Sequence, residues 1–231
     1  GSSWRKCQRN MMTAEIQFLA EAGYAVAFPE YRHSGVGHFP AQLQDVKTAV
    51  RFLRAHAAEY GIDPTRVGVA GRSAGGHLAA WMAMNVEGFD TAECAEQSST
   101  IQCAIDMFGP ADIPPCTKLN LEHIANDPSF RWHSLPETHE GALLGITADT
   151  TVEQALELGR QASPINFIND EMCPLAIMHG TQDPLIPWEI SESFYNALVE
   201  AGHEDIVDYY LLQDAGHGTR EFFQPECKDI I

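Results

Sequence analysis

The stretch GVAGRSAGGHLAAW, residues 68–81, sets Ser73 between Gly71 and Gly75 in a G-x-S-x-G pattern. An apolar run precedes it and an alanine-rich, helix-forming run follows. A chain that must reverse between a strand and a helix within a few residues forces the central residue into strained dihedrals and turns its side chain outward. The flanking glycines let neighbouring backbone pass without a Cβ clash. The chemistry of such a serine is nucleophilic attack. The competing reading of Ser73 is a plain helix N-cap, a role serine fills well.

A serine hydroxyl attacks poorly unless a base takes its proton and a third group holds the base. On the strand–turn–helix frame, the acid and then the histidine follow the serine along the chain. HGTQDPLIP places Asp183 just after an apolar run at 174–179, and DAGHG places His217 after another at 206–212. Both sit where open α/β sheets carry their sites, beyond the carboxyl ends of strands. Taken singly, Asp183 is also a good turn residue before Pro184, and His217 is one of ten histidines. Asp106 and Asp112 flank the run at 101–108 and are reserves for the acid. His77 falls one turn into the helix after Ser73 and is expected to pack or cap. Arg32, His33 and His38 read as solvated loop residues with pocket lining as the alternative. For Trp132, His133 and Trp188, core packing is preferred over a substrate wall.

The elements that must position these groups follow from periodicity. YAVAFPEY (24–31) reads as a short strand ended by Pro29, after a helical stretch carrying Ile16, Leu19 and Ala20. Residues 41–60 place Val46, Val50, Leu53, Ala57 and Tyr60 on one face of an amphipathic helix. Buried strands are expected before Gly71, at 101–109, at 174–180 and at 206–212. Helices are expected after Ser73, across Ile190–Ala201 and from GTREFF onward. Residues 110–170 hold six prolines and read as irregular, with short helical pieces between them, a lid or cap over the sheet edge. Strands alternating with helices predict a single α/β domain over residues 1–231, with a mostly parallel sheet covered on both faces.

The chain has 231 residues, 45% of them hydrophobic, enough for one real core. Its formal charge of −18 repels phosphate backbones, so nucleic acid is excluded as an expected partner. No run approaches the roughly 20 apolar residues of a membrane span. The six cysteines show no zinc spacing. Cys103 and Cys173 are expected to be buried, and Cys94 and Cys116 lie in loop-like sequence where a disulfide could form. Cys7 and Cys227 carry no expectation. A reduced, cytoplasmic setting is favoured, because a domain of this size needs no staples.

GRSAGGHLAA, YGIDPTRV, HGTQDPLIP and AGHG together resemble the α/β-hydrolase esterases of the hormone-sensitive-lipase and bacterial feruloyl- and acetyl-esterase type. The similarity runs from about residue 20 to 220 and is weakest over 111–165. It implies an α/β-hydrolase fold with 111–165 as the cap. It also implies Ser73 as nucleophile, His217 as base, Asp183 as orienting acid and the Ala74 N–H as half of an oxyanion hole. A small-molecule ester is the implied substrate, with no metal or cofactor. The other half of the hole normally comes from an H-G-G-G-W type loop. GSSW, residues 1–4, would complete H-G-x-x-W after one more histidine, which assigns the second donor to Ser2 or Ser3; an expression-tag remnant is the competing reading.

In that family the H-G loop follows a strand inserted between those at 24–28 and 66–70, with further strands before it. With the chain opening at the loop itself, a gap about 10 Å wide is expected there, given strands about 4.8 Å apart, and with it a truncated chain or a foreign strand. Two rivals to ester hydrolysis stand beside it. One is an amide hydrolase of the formamidase or prolyl-oligopeptidase type, the latter disfavoured by Ala74 where an aromatic residue is usual. The other is an inactive module on the same fold.

Overall fold

The computed structural model describes residues 2–6 and 16–231. Gly1 and Cys7 lie outside the described residues. In chain order the elements are α1 (Gln17–Glu21), α2 (Ala41–Ala55), α3 (Ala57–Tyr60), β1 (Gly68–Arg72), α4 (Ala74–Ala83) and β2 (Cys103–Met107). There follow α5 (Ile113–Asn126), α6 (His139–Leu144), α7 (Val152–Gln161), β3 (Leu175–Gly180), α8 (Glu189–Glu200), β4 (Val207–Leu212) and α9 (Pro225–Lys228). No helix among the described residues is long and apolar enough to cross a membrane.

The four strands form one sheet in the order β1-β2-β3-β4, and every pair is parallel. Strand periodicity divides their side chains between two faces. Ala104, Leu175, Ile177 and Val207 join Val46 and Val50 of α2, Leu78 and Trp81 of α4, and Phe194 of α8 in the main core. Met107 and Met178 point the other way and pack with Phe222 and Cys227 near the C-terminus. This is the parallel, helix-covered α/β sheet expected from the alternation of apolar runs and helical stripes, and it agrees with the α/β-hydrolase fold that the resemblance implies.

Several expectations change. Residues 24–30 form no strand and pair with none in the sheet. The gap expected beside β1 is found: a cavity of about 470 Å³ is lined by Ala27 and Phe28 and by Val69 and Ala70. For the same reason β1 is not buried: Gly68 and Ala70 are exposed at an edge strand that pairs, among the described residues, only with β2. The helix read over 41–60 divides at His56 into α2 and α3. Within 110–170 the expected short helical pieces include two longer helices, α5 and α7, and Pro114 and Pro115 open α5 rather than break it. Pro114 and Pro115 occupy the first turn of α5, where no intrahelical N–H is needed.

α5, α6 and α7 build a second core of Ile113, Leu135, Leu143, Leu144 and Ala155, closed onto Trp4 and onto Ala74 at the start of α4. Thr138 caps α6, and Thr151 with Gln154 forms a capping box on α7. The proposed Cys94–Cys116 disulfide is absent and both are free thiols; Cys116 is buried against Ile186 and Ile190. Cys103 is exposed, as the first residue of β2 beside Gly68, whereas Cys173 is buried and its thiol is pushed up to about 12 by that burial.

β1, α4 and β2 meet at glycines. A Cβ on Gly71 would run into the Gly75 carbonyl, and one on Gly76 would run into Asp106 Oδ1 while lying 2.9 Å from Gly109 N and Met107 O. We therefore expect Gly76→Ala to destabilise the domain by about 1–3 kcal/mol, since overpacked cores cost that much. Thermal melts should show a Tm several degrees below the parent; an unchanged Tm would contradict this close approach.

Candidate active site

Ser73 sits between β1 and α4 with φ 56° and ψ −125°, in a region few non-glycine residues occupy. The strain is held by backbone on both sides: Ser73 N donates to the Met107 carbonyl at 2.9 Å, and His77 N donates to the Ser73 carbonyl at 3.0 Å. Although Ser73 is the N-cap residue of α4, its hydroxyl makes no capping bond. The hydroxyl instead faces His217 Nε2 at 2.9 Å. The cap reading is thereby replaced by a hydroxyl aimed at an imidazole.

His217 lies on the loop after β4, and its Nδ1 stands 2.6 Å from Asp183 Oδ2. A carboxylate only accepts, so Nδ1 carries the proton and Nε2 is left to accept from the Ser73 hydroxyl. Asp183 Oδ1 accepts from the backbone N–H groups of Leu185 at 2.8 Å and Ile186 at 3.0 Å. Burial pushes the Asp183 carboxyl up, but the bonds from His179, His217 and Ile186 outweigh it and hold the group well below the usual carboxylate range. The structure thus joins Ser73, His217 and Asp183 in one chain of hydrogen bonds.

The reserves do not join it. Asp106 is fully buried under α4, where its Oδ1 accepts from Gly109 N at 2.8 Å; burial raises its pKa to about 6. Asp112 stands at the N-cap position of α5 without a side-chain capping bond and instead interacts with Ser163, with burial pushing its carboxyl up. Arg32 pairs with Asp45 at 2.9 Å, and His38 Nδ1 faces the Ala142 carbonyl. Trp132 is packed among Arg131, Phe130 and His139. Arg32, His33, His38, Trp132, His133 and Trp188 do not line the cavity at Ser73.

Residues 2–4 do reach the site. Ser2, Ser3 and Trp4 all have positive φ, and Ser2 and Ser3 line the cavity next to Ser73. Trp4 anchors them: it is 2% exposed, its carbonyl accepts from Ser34 N at 2.8 Å, and its indole N–H donates to His77 Nδ1 at 3.2 Å. Burial and two hydrogen bonds thus fix Trp4, and with it the adjoining Ser2 and Ser3, onto α4. Ala74 opens α4, and its N–H belongs to the first-turn donors that have no intrahelical acceptor.

Four residues near the site escaped the sequence reading. Phe108, with φ 47°, sets its ring edge-on to His217 at 4.7 Å. Leu185, 54% exposed, and Phe223 line the same cavity. His179 lies fully buried beneath Asp183. Only His179 left a readable signal, as a lone polar residue ending the apolar run PLAIMHG.

A family profile described as BD-FAE matches residues 1–198. Among curated relatives, Esterase LipQ of Mycobacterium tuberculosis is 29% identical over 86% of this chain and 44% of its own length. Esterase LipC of the same organism is 29% identical over 94% of this chain and 51% of its own. The chain therefore spans about half the length of these relatives. Among solved structures, a truncated form of a carbohydrate esterase from gut microbiota superimposes with a TM-score of 0.81 at 28% identity, covering all of this chain and 80% of that one. A propionate-bound thermophilic esterase from Thermogutta terrifontis gives 0.72 at 25% identity, over 98% and 74%.

His77 supplies a pH test of this packing. It is fully buried, with Nε2–H donating to the Ala162 carbonyl at 2.7 Å, and burial lowers its pKa to about 4. The unfolded chain, with histidine near 6.5, then binds the extra proton between about pH 6.5 and 4, so stability falls as pH drops through that window, by up to about 3 kcal/mol. Asp106, raised to about 6, acts in the opposite sense over part of the range. The His77 contribution is therefore read as a difference. Between pH 7 and 4.5 the parent Tm should fall more steeply than that of His77→Gln, and parallel slopes would refute the assignment.

Proposed function

The chain belongs to the BD-FAE family of α/β hydrolases, and we propose that it cleaves carboxylic esters through an acyl-enzyme on Ser73. The observation that carries this reading is the 2.9 Å contact from the Ser73 hydroxyl to His217 Nε2, made by a serine that leaves its helix uncapped. His217 takes the hydroxyl proton as Ser73 Oγ attacks the ester carbonyl carbon. Asp183 fixes the imidazole tautomer and stabilises the imidazolium. The tetrahedral oxyanion is held by the Ala74 N–H and by an N–H of Ser2 or Ser3. As it collapses, His217 returns the proton to the departing alkoxide and an alcohol leaves. Water, deprotonated by His217, then releases the acid and restores Ser73.

The mouth of the cavity favours an apolar group beside the scissile bond, because Phe108, Leu185 and Phe223 border it. The esterase names of the relatives support the ester reading over an amide one. Turnover of matched p-nitrophenyl ester and anilide substrates tests that preference directly.

Ser73→Ala should abolish ester turnover, with a kcat loss of at least about 10⁴-fold, and leave the melting curve in place. A fluorophosphonate probe should label the parent at Ser73 and leave the variant unlabelled. Near-parental turnover in Ser73→Ala would overturn the proposal. Asp183→Asn should retain more activity than His217→Ala, because the acid orients and stabilises without transferring a proton; the reverse order would exchange their roles.

A further inference from the structure

Beneath the Ser73–His217–Asp183 chain lies a second histidine. His179 ends β3 on the face that packs against α8, and it has no solvent exposure. Its Nδ1 is 2.7 Å from the hydroxyl of Ser191, itself fully buried on α8. Its Nε2 is 3.1 Å from the Ile186 carbonyl and 3.3 Å from Asp183 Oδ2. Both neighbours of Nε2 are acceptors. Nε2 must therefore carry a proton, whichever way the Ser191 hydroxyl turns.

That proton bonds the Ile186 carbonyl and stands beside Asp183 Oδ2, the oxygen that also accepts from His217 Nδ1. With Leu185 and Ile186 occupying Oδ1, the carboxylate is surrounded by donors on both oxygens. Such a group cannot rotate without breaking several bonds, and in a buried site each lost partner is costly. The Ile186 carbonyl and the Ile186 N–H also tie the 183–186 turn to both His179 and Asp183. Asp106, buried on the neighbouring strand β2, interacts electrostatically with His179.

We propose that His179, held by Ser191, is a positioning residue for the hydrolytic reaction: its Nε2–H, bonded to the Ile186 carbonyl beside Asp183 Oδ2, holds the 183–186 turn and with it the Asp183 carboxylate and the His217 imidazole. The proposal rests on the serine-hydrolase reading above. It extends the relay by two residues, giving Ser191–His179–Asp183–His217–Ser73, and it assigns His179 no contact with substrate. Removing it should slow the steps in which His217 moves a proton, leaving ground-state binding of the ester nearly untouched.

The test is steady-state hydrolysis of p-nitrophenyl acetate, with every variant normalised to the sites titrated by a fluorophosphonate probe. His179→Leu should lower kcat per titrated site by roughly 10- to 100-fold, the range typical for partners that orient a reacting group's ligand, with KM nearly unchanged. His179→Gln, whose amide N–H can reach the Nε2 position, should recover much of that loss. Ser191→Ala should lose kcat several-fold in the same direction. A purely structural role would reduce the number of titratable sites and leave kcat per site at the parental value, which overturns the proposal. So does a His179→Gln variant no better than His179→Leu. Should His179→Leu fail to fold, Ser191→Ala decides, and parental kcat per site there refutes the relay. Ser73→Ala separates the two levels: if it is inactive while His179→Leu is unaffected, only the positioning role falls.

Discussion

The close approach of β1, α4 and β2 is the constraint on which the site depends. Three glycines, Gly71, Gly76 and Gly109, stand where side chains would collide with backbone or with Asp106. Because α4 can start this near the sheet, Ser73 is pulled into positive φ and its hydroxyl is denied the ordinary capping bond. The strain of one residue is maintained by packing spread over three elements. Interiors near crystal density resist the small outward shift that would relax it.

Around this elbow the fold places polar groups in sealed positions and satisfies them one by one. Asp183 has a donor for each approach to its oxygens, and His77 bonds Trp4 on one side and Ala162 on the other. His77 also links three segments distant in sequence: residues 2–4, α4 and the end of α7. The loop beside the serine is therefore as well anchored as the serine itself. Arg5 adds to this by donating to the Glu137 and Thr138 carbonyls, which fastens the same segment to the start of α6.

The helices α5–α7 do more than cover an edge. Their core closes directly on Ala74 and Trp4, so the region between β2 and β3 buttresses the start of α4. On the other side, the cavity between residues 24–30 and β1 leaves the serine bordered by apolar surface and by an edge strand. The site thus has one wall of packed helices and, among the described residues, one formed by the edge strand β1 and residues 24–30 around the cavity.

The sequence by itself determined the alternation of apolar runs and helical stripes, and hence the parallel sheet. It also determined the order Ser73, Asp183, His217 at strand ends, because periodicity and glycine placement are local properties of the chain. It misjudged residues 24–30 and the burial of β1. An apolar run has the composition of a strand whether or not a neighbour supplies its hydrogen bonds, and only the tertiary structure decides pairing. The prolines of 110–170 misled for a related reason: their effect depends on whether they fall in a first turn or an interior. His179 and Ser191 lie twelve residues apart and meet only because α8 packs on β3. Trp4 and His77 lie 73 apart and meet only because residues 2–4 fold onto α4. Which residues could do chemistry was written in short segments, but which groups hold them in place was decided by long-range packing, where no local pattern records the partner.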